Sequence, residues 1–138
     1  MTDSETARAI ERQLHREHDA TLSAVNACAD AVAADWSTST VSDRQAVVDP
    51  LRTRLESSGV LESLPGVLID LADAAGYTLP PPPVAGPPYV VVTSRGPMLR
   101  ATIDPGRLVV RFDVFDLERE QNPVYRRLEE VDVSVRVR

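Results

Sequence analysis

Four consecutive prolines, Pro80 to Pro83, stand near the middle of the chain and separate two unlike halves. Proline fixes φ and removes a backbone donor, so no helix or central strand passes through such a run. The segment is expected to take an extended polyproline II path. With Val84-Ala85-Gly86-Pro87-Pro88 it forms a linker over residues 79–88. Before it the apolar spacing is helical; after it the spacing is two.

In residues 1–78, Ile10, Leu14, His18, Leu22, Val25, Ala29, Val32 and Trp36 recur at steps of three and four. At about 100° per residue they make one stripe, predicting a single long helix from Thr6 to Asp35 with Asp3 or Ser4 as N-cap. The Trp36 to Thr40 segment reads as a loop. A second helix follows Ser42 with Val47, Val48, Leu51 and Leu55 on its apolar side, and Pro50 either starts or kinks it. Gly59 ends it. A third helix is predicted from Leu64-Pro65 to Gly76.

Residues 89–138 read as strands. Tyr89 to Thr93 is a continuous apolar run. Leu99, Ala101 and Ile103 alternate with polar residues, and Asp104-Pro105-Gly106 is a turn signal. Leu108, Val110, Phe112 and Val114 alternate next. Val131, Val133, Val135 and Val137 alternate with Asp132, Ser134, Arg136 and Arg138, the pattern of a half-buried antiparallel strand. Residues 123–129 fit either a helical turn or a bulge. Helices first and strands after predict one α+β domain over 1–138, with three helices on one face of a four-stranded antiparallel meander.

The chain holds fifteen arginines and no lysine against twenty-one acidic residues, for a net charge of -6. Salt screens such self-repulsion, and at molar salt the Debye length falls to about 3 Å. The composition resembles that of cytosolic proteins from salt-accumulating archaea; a GC-rich genome also depletes lysine codons. The resemblance covers composition, not motif. One cysteine, Cys28, excludes an internal disulfide and a multi-cysteine zinc site. No signal peptide and no membrane-length apolar run occur in these residues. The expectation is a cytoplasmic protein with no cofactor and no membrane association. Net acidity argues against non-specific nucleic-acid binding.

Candidate chemistry is sparse. Glu11, His15 and His18 share one helix side and are metal-ligand types, one short of a closed zinc site. Cys28 lies between alanines, far from any cation, as a buried small hydrophobe would. Asp113, Asp116, Glu118 and Glu120 form an acidic run of the kind that holds Mg²⁺ or Ca²⁺ or simply faces solvent. Arg95-Gly96 is a turn that could form an anion nest. Arg126, Arg127 and Arg136, with Arg95 and Gly96, are the candidates for binding an anion or a partner. Arg100, Arg107, Arg111 and Arg138 join Arg136 on the expected outer sheet face, where Asp104, Asp113 and Asp132 are expected to pair with them. No phosphate-binding glycine motif, HExxH or nucleophile elbow is present. The expected role is that of a non-catalytic interaction protein, acting through a homodimer or a protein partner. The alternatives are a DNA-binding regulator of winged-helix layout and a small enzyme with an anion site at Arg95-Gly96.

Overall fold

The computed structural model describes residues 2–79, 82–103, 106–119 and 121–138, so expectations resting on Pro80, Pro81, Asp104, Pro105 or Glu120 lie outside the described residues. The predicted long helix is two helices, α1 (Asp3–Glu17) and α2 (Asp19–Ala34). They break at His18, whose φ of -126° and ψ of 29° are not helical. No glycine or proline signals this break, and the apolar stripe runs straight through it. The cause is tertiary: the His18 ring leaves the stripe's register to meet Asp70 on a later helix. Thr2, not Asp3 or Ser4, caps α1, its hydroxyl accepting from the Glu5 amide at 3.1 Å.

After a loop, β1 (Thr40–Val41) precedes α3 (Gln45–Ser57) and α4 (Val60–Ala74). Pro50 lies inside α3 rather than at its start, where it removes a single bond to the first turn. The third predicted helix begins four residues earlier than expected. Gly59 adopts φ 81°, a left-handed conformation that ends α3 and lets the chain re-enter a helix at once. Gly76 closes α4, with Tyr77 N–H bonded back to Ala72 at 2.8 Å.

The strands are β2 (Val90–Val92), β3 (Pro97–Ile103), β4 (Gly106–Glu118) and β5 (Val124–Val137). All pairings are antiparallel, in the order β1-β5-β4-β3-β2. The architecture is α+β, with four helices and five strands among the described residues in place of the three and four expected. β1 was unreadable because it is two residues of a Ser/Thr-rich loop, recruited only by pairing with Arg126 and Tyr125. The ambiguous 123–129 segment is strand. Between the Asp113–Asp132 and Phe115–Arg127 pairs the register shifts, so β5 bulges over residues 128–131.

Alternation divides the sheet cleanly. Leu99, Ala101, Ile103, Leu108, Val110, Phe112, Val114 and Val137 face the helices and are buried. They share one core with Ile10, Leu14, Val25, Leu51, Leu64 and Leu71 from the helical half. The residues between them form the opposite, uncovered face.

Candidate functional site: the arginine face of the sheet

The register of β3, β4 and β5 fixes what that uncovered face presents. Thr102, Arg107 and Arg138 form one cross-strand row, Arg100, Val109 and Arg136 the next, and Met98, Arg111 and Ser134 the third. Together they line a shallow cleft of about 580 Å³. Strands about 4.8 Å apart and same-face residues about 6.7 Å apart along a strand gather five guanidinium stems into a patch of roughly 10 by 14 Å.

Charge pairing on this face is sparse. Arg111 donates to Asp113 at 2.8 Å. Arg100, Arg107, Arg136 and Arg138 have no carboxylate within 4 Å among the described residues. The expected cross-strand neutralisation fails because Asp113 stands directly opposite Asp132, so the two carboxylates face each other rather than an arginine. Burial raises the Asp113 carboxyl above its ordinary value, with the Arg111 guanidinium partly offsetting it. Arg107 and Arg138 are likewise direct cross-strand neighbours, exchanging two backbone bonds of 3.0 Å each. Like charges placed opposite each other destabilise a sheet. The face therefore carries a cost that an anion lying across it would relieve, and guanidinium forks suit carboxylate and phosphate oxygens bidentately.

The other sequence candidates are dispersed. Arg127 stands opposite Phe115, on the helix side of the sheet. It donates to Asp30 at 3.1 Å, to Asn26 Oδ1 at 3.0 Å and to the carbonyls of Val114, Leu128 and Asn26. Its donors are spent on the fold. Arg126 donates to Glu118 at 2.8 Å, which raises its pKa. Of the five anion or partner candidates, Arg136 alone lines the arginine cleft.

The Ser94-Arg95-Gly96 turn uses its amides internally: Thr93 Oγ1 accepts from Arg95 and Gly96 at 3.2 Å each. Gly96, at φ 149°, packs against the Phe112 carbonyl, which a Cβ would strike at 1.8 Å. The Arg95 carbonyl in turn accepts from Val114 at 2.7 Å and Phe115 at 3.1 Å. The Arg95 and Gly96 amides that an anion nest would use are thus engaged within the turn, and the turn holds β4 at Val114 and Phe115, where its register with β5 shifts.

Glu11 and His15 sit beside Arg8, Arg12 and Arg16 on the solvent side of α1. His18 is turned away from them, its Nε2 2.6 Å from Asp70 Oδ2, which also accepts from Gln13 at 3.1 Å. Those bonds, His18 first, lower the Asp70 pKa. Asp113 and Glu118 of the acidic run are each committed to an arginine. Among the described residues no three His, Cys, Asp or Glu side chains converge as metal ligands do. Cys28 is buried, 3.5 Å from Ser58 Oγ. No helix among them is long and apolar enough to cross a membrane.

The class defined by this geometry is an α+β domain with a helix-covered inner sheet face and a cationic outer one. The chain matches, over residues 8–138, the family described as Domain of unknown function (DUF7988), and it belongs to that family. No curated protein and no solved structure matches it.

Proposed function

We propose that the protein is a non-catalytic binding module whose outer sheet face takes an acidic segment of a protein partner. One observation carries the reading: five arginines converge on one sheet face of a net acidic chain, and four of them have no carboxylate partner among the described residues. The patch is bounded. Asp113 and Asp132 close one end, and the remaining surface holds most of the acidic residues, so a compact or peptide-sized polyanion fits better than a long one.

Two features weigh against a nucleic acid. No aromatic residue stands on the face to stack on a base. The helix that a winged-helix layout would use for recognition, α4, carries Glu62, Asp70 and Asp73 and no cation. A setting of molar salt in the cytoplasm of a salt-accumulating archaeon belongs to the same reading. There, long-range attraction is screened and binding rests on direct guanidinium contacts, which suits an all-arginine cation set. Self-association as a homodimer belongs to it as well.

Fluorescence anisotropy with a labelled polyglutamate peptide and, separately, a short DNA duplex tests the reading, at low ionic strength and in molar KCl. The peptide is expected to bind in both, and the duplex to be the weaker ligand in both. Arg107→Ala and Arg136→Ala should each weaken peptide binding about tenfold, the value of one charge-assisted hydrogen bond. Unchanged peptide binding by the double variant, or tighter binding of the duplex, removes the proposal.

A further inference from the structure

β5 has an open edge. On the side away from β4, β1 pairs with Tyr125 and Arg126 and no other strand lies there among the described residues. Because Arg107 and Arg138 exchange two backbone bonds, antiparallel alternation assigns the groups of Asp132, Ser134 and Arg136 to β4. Those of Val133, Val135 and Val137 point the opposite way. None of them is bonded to a helix, loop or side chain among the described residues. Farther back the edge is closed, since the Val131 N–H is held by Asn26 Oδ1 at 2.8 Å and the bulge begins. The free run is therefore 132–138, and its Val133 and Val135 side chains are half-buried against the core. An edge of this kind is a template for another strand.

We infer that its occupant is β5 of a second copy, paired antiparallel about a two-fold axis. Asp132-Val133-Ser134-Val135-Arg136-Val137-Arg138 is complementary to itself in that direction. The outward-pointing groups require odd residues to face odd residues. With Val135 opposite the partner's Val135, Asp132 stands opposite the partner's Arg138. With Val133 opposite the partner's Val135, Asp132 stands opposite the partner's Arg136. Both registers form opposite-charge cross-strand pairs, whereas an in-register parallel pairing would set Asp on Asp and Arg on Arg. Three facing pairs exchange about six backbone bonds, the two sheets become one, and two arginine faces lie side by side on the same surface.

This deepens the association part of the proposed function and stands apart from the acidic-ligand part. Light scattering and sedimentation of the full chain, without ligand, in dilute and molar KCl test it. The wild type is expected to be a dimer. Val135→Pro removes an outward N–H while leaving the β4 ladder intact, and should raise the dimer dissociation constant roughly tenfold or more with near-UV circular dichroism unchanged. Asp132→Arg, at an exposed position, should do the same by setting cation against cation. Mixing it with an Arg136→Asp/Arg138→Asp chain should restore a dimer. If Val135→Pro does not fold, Asp132→Arg decides. A wild-type monomer at all concentrations, or a dimer that survives the substitutions, overturns the pairing. Polyglutamate binding on the same samples separates the two readings: a monomer that binds the peptide sinks the pairing alone, and a dimer that does not sinks the arginine-face ligand alone.

Discussion

On the helix side of the sheet, Arg127 spends its donors on the Asn26 and Asp30 side chains and three backbone carbonyls. On the other side, Arg100, Arg107, Arg136 and Arg138 stand with no carboxylate in reach among the described residues. The residue type is the same and the strands are the same; what differs is what each guanidinium costs and returns. The inner arginine is nearly buried, and its hydrogen bonds offset its desolvation. The outer ones repel one another and return nothing to the isolated fold. Stability and binding are therefore carried by different residues of one sheet, and substitutions should sort them.

The largest effect belongs to the turn that both faces depend on. Gly96→Ala places a Cβ within 1.8 Å of the Phe112 carbonyl at a φ that L residues rarely adopt. Backbone must move, and the Arg95 carbonyl that holds Val114 and Phe115 moves with it. A loss of more than about 3 kcal/mol is expected, in the range reserved for strain at special backbone positions. Denaturant titration with Trp36 fluorescence reports it, since Trp36 stacks on Phe115 at 5.5 Å. A loss under about 1 kcal/mol would mean the hairpin shifts freely, and would detach the bulge from the turn.

Arg127→Met comes next. It keeps the apolar stem and removes every donor, leaving the Asn26 side chain and three carbonyls short of partners in a site where Arg127 is 13% exposed. Unsatisfied buried groups and a lost charged bond together predict about 2–3 kcal/mol. Arg127→Lys should recover little, because an ammonium cannot reproduce a fork spread over five acceptors. By contrast, Arg107→Ala should lie within about 0.5 kcal/mol of wild type, or above it, as expected of a surface site relieved of a like-charged neighbour. A comparable loss at Arg107 would erase the distinction between the two faces.

Much of this division could be read from residue spacing. The alternation of Leu108, Val110, Phe112 and Val114 with Arg107, Val109, Arg111 and Asp113 assigns residues 107–114 of β4 to their sides, and fails only at Phe115, which is buried beside Val114. The valines of β5 follow the same rule. Spacing alone does not give register. That Asp113 meets Asp132 depends on a three-residue bulge with no glycine or proline to mark it; the Phe115–Arg127 register carried on would set Asp113 opposite Glu129 instead. Arg127 shares the odd alternation of Val131, Val133, Val135 and Val137, so spacing does assign it to the helix side; what spacing hides is that Asn26 and Asp30 of α2 stand there to receive it. The break at His18 was illegible for a related reason. Local periodicity favours one continuous helix, and the residue that overrides it, Asp70, is fifty-two positions away.

That long-range contact yields another small expected effect, and pH isolates it. Hydrogen bonds from His18 and Gln13 favour the ionised Asp70 carboxylate and hold it below its ordinary value of 3.8. A carboxyl lowered in the folded state contributes stability above 3.8 that is lost as pH falls through the lower folded value. Asp113 has the opposite sign. Burial raises it, so its contribution is present below 3.8 and is lost as pH rises through the higher folded value. On acidification the two therefore oppose each other: the α1–α4 clasp weakens while the desolvation cost of the ionised Asp113 is relieved. Asp70→Asn should flatten the loss of stability below about pH 4, and Asp113→Asn should steepen it. Asp70 is 43% exposed, so solvent screening limits its share to less than about 1 kcal/mol. Denaturation midpoints from pH 7 downward in the two variants separate the contributions. Parallel shifts in both would mean that neither carboxyl's environment differs from the unfolded chain's.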